Sequence, residues 1–270
     1  SPMTRLVQAA LLGILQGLTE FLPISSTAHL LVGSQVLGFE DPGGVFTVII
    51  QFGSILAVMW LYRARITRLV LGIFQGRSVD RRFALAIGVA FLPALVAGAL
   101  LADFVKGVLY ESFTTIAVAF IVGGVVMLFV ERWQPAVVVR EADETPVGRA
   151  LAVGVCQTLA LVPGVSRSGG TIVGGMLMGL DRRAAAEFSF FLAIPTIGAG
   201  FVHDLWEVRH DLALDRGVEI AVGFVMAFVA AFAVVKAFLT FVGRSGFAPF
   251  AWYRIVAGLL LLAALAAGWL

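Results

Sequence analysis

The chain predicts an all-α integral membrane protein: six spanning helices plus two re-entrant helical hairpins, arranged as an inverted-topology repeat. Three observations lead there. Hydrophobic residues make up 60% of the 270 and charged residues 13%, with a mean hydropathy of +1.00, a composition whose solvent is lipid over most of the surface. Six apolar stretches are long enough to cross a bilayer. Two polar strings interrupt the apolar sequence, QGLTEFLPISSTAH from Gln16 to His29 and PGVSRSGGT from Pro163 to Thr171. They bring turn-forming residues, hydroxyls and ionisable groups to depths where lipid tolerates them only if the backbone is buried in protein or lines a wet cavity.

Taken in order, the first apolar arm runs from Leu6 to Leu22 and meets Pro23. Residues 28 to 38 would return as a helix of about 16 Å, too short for a hydrocarbon core of about 30 Å. Spanning helices are expected over 45 to 62, 82 to 103 and 112 to 133. The second hairpin joins 148 to 162 and 169 to 180, arms of about 22 and 18 Å. Spanning helices over 184 to 203, 217 to 242 and 249 to 269 complete the chain. Pro23 and the Pro163-Gly164 pair supply the turns, and the serines after them can cap the returning helices.

The whole chain, 1 to 270, is expected to be one membrane domain, with repeats over about 4 to 133 and 148 to 269. ILQGLTEFLPISS followed by VLGFED parallels VCQTLALVPGVSRS followed by LMGLDR, so that Pro23 matches Pro163 and Gly38 matches Gly179. Halves of opposite topology that each give a broken helix to a midplane site are an architecture of secondary transporters. The first apolar run carries Glu20 and lacks the pattern of a cleavable signal. Cys156 is the single cysteine, which excludes an intrachain disulfide. No basic or acidic tail accompanies the net charge of +2, and no nucleic-acid partner is expected.

Orientation follows from arginine. Arg63, Arg65, Arg68, Arg77, Arg81 and Arg82 follow the first spanning helix with Asp80 as the one acid among them, which places that segment in the cytoplasm. Counting crossings then puts Arg182, Arg183 and Arg244 inside, and Glu40, Asp41, Asp204, Glu207, Asp211 and Asp215 outside.

The second string has the makings of an anion site. Gly164, Gly169 and Gly170 allow close backbone approach, Ser166, Ser168 and Thr171 offer hydroxyls, and a helix beginning near Ser168 points its free N–H groups at the turn. Arg167 adds a planar fork suited to phosphate. The plainer alternative pairs Arg167 with Glu20 as a structural bond. In the first string Gln16 and Glu20 share a helix face, with Gly13 and Gly17 beside them, while Ser25, Ser26 and Thr27 open the next helix and His29 sits in its first turn. Such a set can activate a serine, shuttle protons, or hold a divalent cation through Glu20 and Gln16 oxygens. A phosphoryl-transfer enzyme and a transporter of a phosphate anion or lipid-linked phosphate both remain open on these residues alone.

The strings GLTEFLPISSTAHL and LVPGVSRSGGTI, with EFSFFLAIP further on, resemble the undecaprenyl-diphosphate phosphatase family, the bacitracin-resistance proteins of bacteria. The resemblance runs from Leu11 to about Arg254. It implies a multi-pass enzyme of the bacterial plasma (inner) membrane, opening to the periplasmic face, that hydrolyses undecaprenyl diphosphate and so recycles the lipid carrier of cell-wall synthesis. It implies Glu20, Ser26, His29, Arg167 and Thr171 as active-site residues, with Ser25, Ser166 and Ser168 close by. In the mechanism it suggests, Arg167 holds the diphosphate, Ser26 attacks with Glu20 as base, and His29 protonates or relays; His29 as nucleophile is the rival assignment. Thr27 and Gly169 are further expected phosphate contacts. Mg²⁺, or Ca²⁺, is the expected cofactor, although Gln16 stands where many members have Glu, which weakens a two-carboxylate metal site. Membrane lipids are expected partners, and a homodimer is allowed.

Overall fold

The computed structural model describes residues 1–110, 112–212 and 214–270; these form eleven α-helices and no strand beyond one isolated bridge between Val139 and Leu180. Six helices are long and apolar enough to cross a membrane: α3 (Val45–Leu61), α5 (Ser78–Phe104), α6 (Phe113–Arg132), α9 (Arg182–Val208), α10 (Gly217–Ser245) and α11 (Ala248–Ala266). They coincide with the six apolar stretches of the sequence. Leu100 and Leu260 are among the large apolar side chains exposed on α5 and α11, as spans facing lipid require.

Two differences from the sequence reading have local causes. α5 begins at Ser78 and runs on through a π-helical turn at Val105–Leu109, because the polar start SVDRR places Asp80 in the first turn, where the helix dipole favours an acid. The arginine-rich segment, read from sequence for orientation alone, is helical: RARITRLVLGIF forms α4 (Arg63–Phe74), with exposed Leu71 and Phe74 on one side. Its alternation of arginines and aliphatics at helical spacing suits a helix lying in an interface.

The remaining helices come as two short pairs. α1 (Pro2–Thr19) turns at residues 20 to 25 into α2 (Ser26–Leu37), and α7 (Val147–Thr158), extended by the 3₁₀ turn Leu159–Leu161, turns at 162 to 166 into α8 (Arg167–Leu177). Each pair leans on a long helix. A methyl group at Gly13 or Gly17 would strike the carbonyls of Gly223 or Ala227, so α1 lies against α10 backbone to backbone; Gly154 sets α7 against the Ala90 carbonyl of α5 in the same manner. α2 ends at Gly38 (φ 64°) and α8 is followed by a turn at Gly179 (φ 85°), both in the left-handed region that glycine enters without strain.

An aromatic column supports the first turn from below. Phe21, wholly buried in that turn, meets Phe190 of α9 edge-on at 5.7 Å, and Phe190 in turn lies 6.1 Å from Phe238 of α10. Charge separates along the bundle. At one end Arg65 pairs with Glu187 at 2.5 Å and Arg182 with Glu131 at 2.6 Å. At the other, Lys106 lies 3.2 Å from Asp204 and 3.4 Å from Glu207, and Asp41 caps α3 through the N–H groups of Phe46 and Thr47.

Candidate active site

Both turns have the same construction. Ser25 (φ 64°) and Ser166 (φ 78°) are the only non-glycine residues with positive φ among the described residues. Each is the N-cap of the helix that follows: the Ser25 hydroxyl accepts from Ala28 N at 3.2 Å and the Ser166 hydroxyl from Gly169 N at 2.9 Å. A left-handed serine costs about 1–3 kcal/mol and persists where its surroundings hold it. The return is geometric, since this backbone kink aims the N-termini of α2 and α8 into one cavity.

That cavity, about 70 Å³, is lined by Glu20, Ser25, Ser26 and Thr27 from the first turn and by Pro163, Gly164, Ser166 and Arg167 from the second, with Gln51, Tyr110 and Ala160 closing it. Two helix N-termini and a guanidinium converge there, all favouring a bound anion. On its wall Ser26 Oγ donates to Glu20 Oε2 at 2.5 Å, and Gln16 Nε2 donates to the same oxygen at 2.7 Å and lies 3.3 Å from Ser54 Oγ. Arg167 stays loosely engaged: Nη2 lies 3.8 Å from Glu20 Oε1 and donates to the Glu20 carbonyl at 3.4 Å, while Nη1 donates to the Ser189 carbonyl at 3.3 Å. Its fork is therefore held in place yet not saturated by a carboxylate.

Other expected residues stand behind the cavity wall. Ser168 Oγ donates to the Phe21 carbonyl at 2.7 Å, joining one turn to the other. Gly169 makes room for Arg254, whose Nη1 would lie 2.9 Å from a methyl group there. Thr171 Oγ1 lies 2.6 Å from Ser189 Oγ, on the α9 side of α8. His29 is set apart: Nδ1 lies 2.7 Å from the Ser25 carbonyl and Nε2 2.6 Å from the Tyr253 hydroxyl, with the ring stacked on Tyr253. The structure thus brings Glu20, Ser25, Ser26, Thr27, Ser166 and Arg167 together, and places Ser168, Gly169, Thr171 and His29 around them.

Sequence reasoning missed Arg254. From α11 its Nη1 donates to the carbonyls of Pro23 (3.2 Å) and Val165 (2.9 Å), and its Nη2 to those of Gly164 (2.9 Å) and Ala119 (3.1 Å). The side chain is 1% exposed, in space left by Gly123. It satisfies carbonyls that two non-helical turns would otherwise bury unpaired, a cost of about 1–3 kcal/mol each. Gln51, Ser54 and Tyr110 were also missed, being single polar residues inside or just beyond apolar helices.

A hard divalent cation wants oxygen donors. Gln16 is wholly buried and its Oε1 has no partner among the described residues; with the Glu20 carboxylate beside it, this donor set fits such a cation, provided phosphate oxygens supply the rest. The other group of clustered metal-ligating side chains among the described residues, His203, Asp204 and Glu207, is at the far end of α9 and is already bridged by Lys106.

The family model described as bacitracin resistance protein BacA matches residues 9–260. The chain is 50% identical over 260 residues to undecaprenyl-diphosphatase 1 of Agrobacterium fabrum, covering 96% of this chain and 97% of that protein. It is 48% identical over 266 residues to undecaprenyl-diphosphatase of Paracoccus denitrificans (97% and 98% covered), and 51% identical over 257 residues to undecaprenyl-diphosphatase 2 of Paramagnetospirillum magneticum (95% and 97% covered). With the match running through both turns, α9 and the Arg254 clamp, the chain belongs to the bacitracin-resistance BacA family.

Proposed function

We propose that this protein hydrolyses undecaprenyl diphosphate to undecaprenyl phosphate and inorganic phosphate. The observation that carries the reading is the facing of Ser26, already hydrogen-bonded to Glu20 at 2.5 Å, by Arg167 and two helix N-termini across one small cavity. The undecaprenyl-diphosphatase names of the relatives supply the substrate.

Ser26 Oγ attacks the terminal phosphorus while Glu20 Oε2 takes its proton. The phosphoanhydride P–O bond breaks, undecaprenyl phosphate leaves as an anion, and a phosphoseryl group remains. Glu20 gives that proton up to the departing phosphate, and the carboxylate so restored deprotonates a water that displaces Ser26; this proton passes to the serine oxygen as inorganic phosphate forms. Arg167 and the N–H groups of α2 and α8 hold the oxygens on which charge accumulates, so catalysis rests on positioning and charge stabilisation. His29 acts from behind the wall, fixing the Ser25 carbonyl and with it the start of α2. Gln16 and Glu20 would hold Mg²⁺ or Ca²⁺ together with the substrate's phosphates, and the bound cation would neutralise part of the diphosphate charge.

Several observations support an inverted repeat with re-entrant hairpins. Ser25 and Ser166, Gly38 and Gly179, and Gly13 and Gly154 hold equivalent places, and α1 on α10 mirrors α7 on α5. Gln16 bonded to Ser54 on α3 has its counterpart in Gln157 accepting from Thr196 on α9 at 3.1 Å. Arginine at one end of the bundle favours a cytoplasmic assignment for that end. Tyr110, from the opposite end, lines the cavity, which supports an opening to the periplasmic side of the inner membrane.

The test is hydrolysis without a compartment. Purified protein in detergent is expected to release inorganic phosphate from undecaprenyl diphosphate in the presence of a divalent cation. Binding without release under any cation, together with lipid movement between leaflets of reconstituted vesicles, would replace the enzyme with a transporter.

A further inference from the structure

Lys236 has no part in the cavity. It is exposed on α10, on the side opposite the buried row of Val235, Phe238, Leu239 and Val242. It lies about 13 Å before the end of that helix at 1.5 Å per residue, within a stretch apolar enough to span. Arg65, Arg77, Arg182 and Arg183 at the basic end are paired with carboxylates, whereas Lys236 and Arg244 have no ion-pair partner among the described residues. A lipid-facing ammonium at that depth is costly, and its stem carries the charge towards the nearest polar layer.

The face it would climb is polar. Thr240, Gly243 and Arg244 continue the exposed side of α10 and line a cleft of about 500 Å³ with Gln134, Arg182 and Arg183. Asp181 is also there, but its Oδ1 is engaged by Ala184 N at 2.7 Å as the cap of α9. Exposed Phe232 and Phe241 on α10 provide apolar surface beside the cleft. We infer that this cleft, between the segment after α6 and the ends of α9 and α10, binds the phosphate of an anionic phospholipid, with Arg244 on its wall and Lys236, one turn before Thr240 on α10, supplying the charge. Basic pockets between spanning helices take anionic headgroups in this way. A lipid fits better than a soluble phosphate because exposed Phe232, one turn before Lys236 on α10, offers apolar surface to an acyl chain, which a soluble anion lacks. The inference is independent of the phosphatase reading, since the cleft is at the opposite end of the bundle from Tyr110.

The experiment is thermal unfolding of detergent-purified protein titrated with mixed micelles of phosphatidylglycerol, of phosphatidylcholine, or with inorganic phosphate alone, with phosphate release as a check on folding. Phosphatidylglycerol alone is expected to raise the midpoint. Lys236→Gln and Arg244→Gln should each weaken the apparent affinity roughly fivefold, the worth of one basic side chain beside an anionic surface, without altering phosphate release, and Lys236→Arg should retain it. An equal response to phosphatidylcholine or to inorganic phosphate, or unchanged affinity in both glutamine variants, overturns the inference.

Discussion

Ser26 and Glu20 share a 2.5 Å hydrogen bond although six residues and a sharp turn separate them. The turn brings the hydroxyl back onto the carboxylate that ends the preceding helix, so the two are held as one hydrogen-bonded pair, the pair proposed to react. Ser26→Ala should abolish turnover while leaving substrate affinity within about tenfold, because a nucleophile contributes chiefly to the chemical step. Glu20→Gln should be comparably inactive, and the double variant no worse than either single one. Rapid quenching with labelled substrate should trap phosphoserine; phosphohistidine would move the nucleophile to His29.

Arg167→Ala should lower turnover by roughly 10²-fold or more, as removal of other oxyanion-stabilising donors does. Arg167→Lys should rescue little, since a point charge cannot reproduce the planar fork. Folded Arg167→Ala protein with near-normal turnover would remove Arg167 from the phosphate site.

Arg254 should fail differently. Its replacement by Ala leaves the three turn carbonyls of Pro23, Gly164 and Val165 short of a donor, and a loss of about 3 kcal/mol or more in stability is expected. Thermal unfolding in detergent measures this. Arg167→Ala should leave the midpoint almost unchanged, and equal destabilisation by the two variants would make both arginines structural.

Chelator should suppress phosphate release, because Gln16 brings no charge and Glu20 is the one carboxylate on the cavity wall among the described residues. Gln16→Glu adds a second carboxylate beside it and should lower the cation concentration needed for half-maximal release severalfold. An unchanged cation dependence would exclude Gln16 from the metal's surroundings.

Topology can be read by labelling single cysteines in a Cys156→Ser background. Cysteines at the exposed positions of Glu40 and Asp211 should react with an impermeant thiol reagent outside intact cells, and those at Ser78 and Ser245 should not. Labelling at Ser78 from outside would invert the orientation and turn the cavity towards the cytoplasm.

The site was legible wherever chemistry is concentrated in sequence. Glu20, Ser25, Ser26, Thr27, Ser166 and Arg167 fall in two short strings that an apolar background makes conspicuous, and the six spans are runs of hydropathy that need no tertiary information. Arg254 was illegible for the opposite reason. A lone arginine near the start of a spanning helix looks like one that reaches back to the headgroups, and only the space beside Gly123 and Gly169 shows that it turns inward. Gln51 and Tyr110 meet the strings only through the packing of α3 and α5. The helical state of α4 was hidden by its arginines, which drew attention to orientation rather than to the spacing of Ile66, Leu69, Val70 and Ile73.

Arg254 also sets an order on biogenesis. It lies 231 residues beyond Pro23, so both short helix pairs leave the ribosome well before the side chain that clamps them exists. Until α11 arrives, the two turns carry unpaired carbonyls in a setting that gives them no other protein donor, and the nascent bundle holds its phosphate cradle unlocked. Assembly of the proposed site is thereby tied to the end of translation, and a chain interrupted before α11 would hold about nine-tenths of the residues with both turns unclamped, since a domain closes on itself only when its parts dock.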